Sequence, residues 1–316
     1  MMTEVAFRRY AHAAGTTRDV ALLDVAQDYV LEYMRREGLF EDLLVFKGGT
    51  ALRKYVFGTD GRFSVDLDFA LRTDDPADVD LAFDLLDGVD FAGVRINLER
   101  RRGMAALLRL ETPLGSVIEP AAVSVRPAGP WVPPRVRPPQ PFPLLDRALL
   151  PEFTRAPLPV LDPREMAAEK IAAFWRRRAA RDLYDLDHLG QVLQADFDGP
   201  TIAALAALKI YADVVLEGLG HAPEAMGTVF AVRPAEVRGA DDLGRFRAAE
   251  TDVAGLLDRC RRRYDALREP LGEAGWLAQH GTARDRRRAR ELVEQVVARL
   301  ARPEPDSPGR GSDVPL

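Results

Sequence analysis

Seven residues, Phe63-Ser64-Val65-Asp66-Leu67-Asp68-Phe69, constrain this chain more than any others. Apolar and polar side chains alternate strictly there and on to Leu71, the period of a β-strand with one face against a core. Phe63, Val65, Leu67 and Phe69 form the predicted buried row, and Ser64, Asp66 and Asp68 share the opposite face. Two carboxylates at i and i+2 lie roughly 6–7 Å apart along a strand backbone, close enough to converge on one hard cation. Mg²⁺ is commonly held by one or two carboxylates, with waters and substrate phosphates completing its shell. An ordinary half-exposed strand alternates in the same way, so the pair gains meaning from its neighbours.

Those neighbours are informative. Leu43–Phe46 is a short apolar strand, and it runs into Lys47-Gly48-Gly49-Thr50-Ala51-Leu52-Arg53-Lys54. Strand, double glycine and a hydroxyl at a helix start make a phosphate cradle: glycine admits close backbone approach, and a helix N-terminus offers free N–H groups. The spacing is neither that of a P-loop nor of a dinucleotide-binding Gly-x-Gly-x-x-Gly. The nucleotide-contact candidates are Lys47, Gly48, Gly49, Thr50, Ser64 and Lys54. Lysine is scarce here: Lys47, Lys54, Lys170 and Lys209 are the four among 44 basic residues. A lysine in so arginine-rich a chain marks a place for a compact ammonium.

Helical spacing predicts a helix over Arg18–Arg36, a short one from Ala51 towards Val56, and another through Val79–Leu86. Val94–Leu98, Ala106–Leu110 and Ser116–Val125 read as further strands. Between Pro127 and Pro143 there are eight prolines, predicting an extended connector or strap. Beyond Leu149 the pattern is helical: Pro163–Arg178, Asp182–Leu193, Pro200–Leu219, Gly244–Leu267 and Arg284–Leu300. The expected fold class is α+β, with a small mixed sheet and helices over residues 1–145 (127–143 being the connector). An α-helical lobe over 146–302 and a disordered tail over 303–316 follow.

In the second half, Asp162-Pro163-Arg164-Glu165 has the form of a helix start, which makes Glu165 a capping residue. Lys170 lies on an i, i+4 row with Met166 and Phe174, bordering an apolar face where an ammonium needs an anion. Asp182 and Asp185 sit three apart on the next helix and either cap it, pair with Arg181 and its neighbours, or enter a site. A cluster at Arg176–Arg178 with Arg181 follows Lys170 directly and is suited to gripping an RNA backbone.

Phe46-Lys47-Gly48-Gly49-Thr50-Ala51-Leu52, followed by Ser64-Val65-Asp66-Leu67-Asp68, resembles the first two motifs of DNA-polymerase-β-like nucleotidyltransferases. More narrowly it resembles the AbiEii nucleotidyltransferase-like toxins, to which the MenT toxins belong. Glu165 to Lys170 resembles that family's Glu-x-x-x-x-Lys motif, and Arg181 to Leu186 its Arg-Asp-x-x-Asp-Leu motif. The resemblance covers Leu43–Leu71 and Pro163–Leu186 in order. It implies an Mg²⁺ (or Mn²⁺) site on Asp66 and Asp68 and a catalytic set completed by Lys170 and Asp182 or Asp185. Glu119, on a neighbouring strand, is the candidate third metal carboxylate. It also implies nucleotide transfer from a nucleoside triphosphate to RNA, the tRNA 3′ end being the expected acceptor, and a cognate antitoxin protein as partner.

Composition narrows the classes further. Charges sum to −5, which excludes a basic nucleic-acid coat. One cysteine and four scattered histidines exclude a disulfide framework and a Cys- or His-rich metal centre. No unbroken run of 18 apolar residues and no signal-peptide layout occur, so the expected address is the cytoplasm, away from membranes. A glycosyltransferase also uses Asp-x-Asp, but the long βαβ alternation of a nucleotide-sugar fold is missing. A non-catalytic nucleotide-binding regulator would share the scaffold; both aspartates, the cradle and Lys170 together argue for chemistry.

Overall fold

The computed structural model describes residues 2–300, apart from 74, 76, 119, 127–128 and 240–251. Two helices open the chain, α1 (Glu4–Ala13) and α2 (Arg18–Arg36). Thr3 and Thr17 cap them by accepting the amides of Ala6 and Val20. Strand β1 (Leu44–Lys47) then feeds α3 (Gly48–Ala51), which continues as a π-helical stretch, Leu52–Phe57. There follow β2 (Asp66–Leu71), α4 (Ala77–Asp84), β3 (Val89–Phe91), β4 (Val94–Arg102), β5 (Ala105–Thr112), β6 (Gly115–Ser116) and β7 (Ala121–Arg126). The proline-rich segment contributes β8 (Arg135–Arg137), and beyond α5 (Pro143–Ala148) comes β9 (Leu158–Val160). Helices complete the chain: α6 (Pro163–Arg177), α7 (Ala180–Leu193), α8 (Gly199–Tyr211), α9 (Val253–Arg263), α10 (Gly272–His280) and α11 (Arg286–Leu300). The fold is α+β.

The strands form one mixed sheet in the order β3-β4-β5-β7-β2-β1-β9-β8, with β6 paired to β5. β2 is interior, antiparallel to β1 and parallel to β7. Its alternation is realised: Leu67, Phe69 and Leu71 are fully buried, and Phe69 stacks on Phe46 of β1 with ring centroids 5.3 Å apart. Asp66 and Asp68 take the other face, half-buried. The hydrogen-bonded ladder starts at Asp66 rather than Phe63, because the β7 partners begin opposite Asp66, at Ala122.

Several expectations change. Ser116–Val125 is two strands, β6 and β7, and Glu119 between them lies outside the described residues, as do 303–316. The proline-rich segment is more than a connector, since β8 pairs antiparallel with β9, and β9 pairs parallel with β1 through Phe46 and Val160. Of the helix expected over Gly244–Leu267, the described part, α9, ends at Arg263. The α8 helix with its π-helical end, Gly199–Leu216, is 18 residues long with mean hydropathy 1.5, long and apolar enough to cross a bilayer. Here it packs against α6, α10 and α11, as a core helix does.

Candidate active site

The site is a cleft between strands β1, β2 and β7 of the sheet and helices α6, α7 and α8. On the sheet side, Lys47 faces Asp68 across the β1–β2 ladder, and Asp68 faces Ser124 across β2–β7. Ser124 Oγ donates to Asp68 Oδ1 at 2.6 Å. Gly48 has φ +78°, and a Cβ there would lie 2.2 Å from Asp68 Oδ2, so conformation and contact both demand glycine. At Gly49 a Cβ would meet Ser64 Oγ at 2.7 Å and Arg62 Nη2 at 2.8 Å. The double glycine thus brings bare backbone against the carboxylate strand.

The helical wall is cationic, and buried acids hold it in place. Asp182 and Asp185, on α7, are fully buried. Asp182 accepts a two-pronged pair from Arg177 at 2.8 and 2.7 Å. Asp185 accepts the same from Arg62 at 2.9 and 2.7 Å, and Lys170 Nζ stands 2.7 Å from its Oδ2. Burial alone would raise the Asp185 pKa, but the charges and hydrogen bonds of Arg62 and Lys170 outweigh it and leave the carboxyl at about 2. Arg62, Lys170 and Arg177 line the cleft, and the two acids lie behind them. Arg181 completes the wall; burial and the nearby charge of Arg177 lower its pKa. Positive charges crowded this way suit a polyanion.

Asp66 shows the opposite strain. Burial, and then the charge of Asp68, raise its pKa, and Arg181, Arg62 and Arg177 pull it back only in part. Two carboxylates repelling one another on a strand face, beside a backbone cradle and a cationic wall, fit a hard divalent cation whose remaining ligands come from phosphate and water. Among the described residues, no group of three or more His, Cys, Asp or Glu gathers to hold a metal.

The cleft therefore gathers Lys47, Gly48, Gly49, Ser64, Asp66, Asp68 and Lys170. Two candidate contacts go elsewhere. Thr50 is buried, and its hydroxyl donates to the Asp66 carbonyl at 2.5 Å, tying α3 to β2. Lys54 points into the core, where its Nζ lies 2.8 Å from both Asp28 Oδ2 and the Asp24 carbonyl. Thr50 and Lys54, one helical turn apart, are both buried, and the Lys54 ammonium is committed to α2.

Glu165 is not a helix cap. It is fully buried and accepts the amides of Trp131 and Val132, at 2.9 and 2.7 Å, together with Lys209 Nζ at 2.6 Å. Glu169 bridges Lys47 at 2.7 Å and Lys209 at 3.2 Å; burial would raise its pKa, but those two charges hold it at about 2. Arg62, Ser124, Trp131, Glu169 and Lys209 also line the cleft and are not among the sequence-based candidates. Lys209 carried a signal, as the one lysine outside every motif; Arg62, one of many arginines, carried none.

Arg176 and Arg178 pair with Asp213 and Glu236 at 3.0 and 3.2 Å. The arginine cluster on α9 braces the fold: Arg259 pairs with Asp187, and Arg263 donates to the Asp187 carbonyl. A second hollow, more apolar and walled by Tyr10, Phe63, Phe142 and Tyr184, shares Arg62 with the cleft but contains neither Asp66 nor Asp68.

Comparison with known proteins shows the family of the chain. By sequence, no curated protein matches. Among solved structures, the chain is similar to MenT4, a nucleotidyltransferase toxin from Mycobacterium tuberculosis H37Rv, with 31% identity and a TM-score of 0.83. That likeness covers 94% of this chain and 99% of that one. JHP933 from Helicobacter pylori shares 16% identity over 85% of this chain and 95% of its own, with a TM-score of 0.42, too low to bear on function. The model of the AbiEii family, described as nucleotidyl transferase toxins of type IV toxin–antitoxin systems, matches residues 31–275. The chain is a member of the AbiEii family of nucleotidyltransferase toxins.

Proposed function

We propose that this nucleotidyltransferase is metal-dependent and moves a nucleotide from a nucleoside triphosphate to an RNA acceptor, the 3′ end of tRNA. The observation that carries this reading is the meeting of Asp66 and Asp68 with the Gly48–Gly49 backbone and a cationic wall in one cleft. Asp66 and Asp68 would hold Mg²⁺ or Mn²⁺. When bound, the ion supplies charge neutralisation at the triphosphate and activation of the acceptor hydroxyl. Gly48, Gly49 and Ser64 lie against the phosphates, and Lys170, Arg177 and Arg62 offset charge on the leaving pyrophosphate. Asp182 and Asp185 position those cations and do not touch substrate. In the same reading, residues 1–145 supply the carboxylates and 146–302 most of the cations. The partner is a cognate antitoxin, and the setting is the cytoplasm, where triphosphates and tRNA are found.

The test is direct. Protein, Mg²⁺, total tRNA and each labelled nucleoside triphosphate in turn should give labelled RNA with at least one nucleotide, and Asp68→Ala should abolish it. Labelled protein instead would redirect the reading to protein nucleotidylation. A folded wild type that labels neither, with all four nucleotides, would leave a binding module as the better account.

A further inference from the structure

Beyond the phosphate end of the cleft stands Trp131, in the proline-rich segment between β7 and β8. It lines the cleft and is only partly buried. Three observations set it apart from packing. First, the backbone there is fixed with unusual force: the buried Glu165 carboxylate accepts the amides of both Trp131 and Val132. Second, Lys209 Nζ sits 3.9 Å from the centroid of the indole ring, so one face of the ring is backed by a cation. Third, a continuous chain of contacts joins the ring to the cradle. Lys209 reaches Glu169 at 3.2 Å, Glu169 reaches Lys47 at 2.7 Å, and Lys47 precedes Gly48 and faces Asp68 across the ladder.

We infer that Trp131 is the stacking platform for the base of the nucleoside triphosphate, a role that rests on the nucleotide-transfer reading above. The phosphates lie at Gly48–Gly49, and the base extends along the cleft onto the indole. A cation behind one face draws electron density from the ring and favours a base on the other. Glu165 is then a positioning residue: it holds the platform at a fixed depth without meeting the nucleotide. Stacking tolerates any base, so the platform sets affinity more than choice of base.

Calorimetric titration without RNA separates this from a structural role. The wild type, with Mg²⁺, should bind each nucleoside triphosphate more tightly than inorganic tripolyphosphate, which has no base. Trp131→Ala should weaken nucleoside triphosphate binding about 10- to 100-fold and leave tripolyphosphate binding unchanged. Trp131→Phe should keep most of the affinity, which guards against a misfolded alanine variant. The inference is overturned if Trp131→Ala binds nucleotides as the wild type does. It is equally overturned if both ligands weaken together, because the segment would then be shaping the cradle. A folded wild type that binds neither ligand would refute the nucleotide reading itself, and the platform with it.

Discussion

At Gly48 a methyl group would fall 2.2 Å from Asp68 Oδ2, on a backbone with φ +78°. Neither partner can yield cheaply, since Asp68 is itself fixed by Ser124. We expect Gly48→Ala to cost about 1–3 kcal/mol of stability and at least a hundredfold in nucleotide transfer, the second by turning Asp68 away. Gly49→Ala should be milder, because Gly49 does not have the left-handed backbone of Gly48 and its methyl would meet Ser64 Oγ and Arg62 Nη2 instead of a cleft carboxylate. Thermal melts and single-turnover transfer on both variants check this; equal losses would mean that Asp68 placement is not the sensitive feature. The same scale shows what sequence could disclose. Asp66 and Asp68 were legible because a strand's period is two. Lys54 was misread because nearness in sequence to Gly49 says nothing about which side of a helix a side chain leaves.

The pairing of α6 with α7 turns two buried carboxylates into a support for cations. Asp185 has a folded pKa of about 2, below its unfolded value of about 3.9, so its contribution is present at neutral pH and lost as pH falls from about 5 towards 2. The sign is the same for Glu169, also held at about 2. Removing Asp185 as Asp185→Asn should lower stability at pH 7 by about 2 kcal/mol and flatten the acid limb of the stability curve. Denaturant titrations at pH 7 and pH 3 read both effects, and a variant as acid-sensitive as the wild type would contradict them. Glu165→Ala leaves two amides and Lys209 without their shared acceptor, and should cost about 3–5 kcal/mol by the same titration. A loss within error of zero would mean that the proline-rich segment is held by something else. These elements were only partly visible in advance. Lys170 stood out on its helical row, but β8 and β9 are three residues each, with Pro159 inside the second, too short and too interrupted for periodicity to register. Glu165 had the position of a cap, and nothing local reveals that its side chain turns to a segment 33 residues upstream.

For the whole molecule, the proposed chemistry needs both walls of the cleft. Overproduction in bacteria should arrest growth, and Asp66→Ala or Lys170→Ala, if still folded and soluble, should release it. Folded variants as toxic as the wild type would separate the toxicity from the cleft. The cleft also has an order in time, because its parts lie far apart along the chain. Asp66 and Asp68 emerge from the ribosome early, and Lys170 and Lys209 much later. Meanwhile β1 waits for β9 to cover its outer edge, and an uncovered strand edge invites pairing with another chain. A product cut short before α6 therefore keeps the two aspartates but lacks the α6–α8 cations, and one cut before β9 leaves that edge bare. On the proposed reading, synthesis interrupted before α8 yields a fragment without the full cationic wall, so the chemistry becomes possible only once the α6–α8 helices have been made.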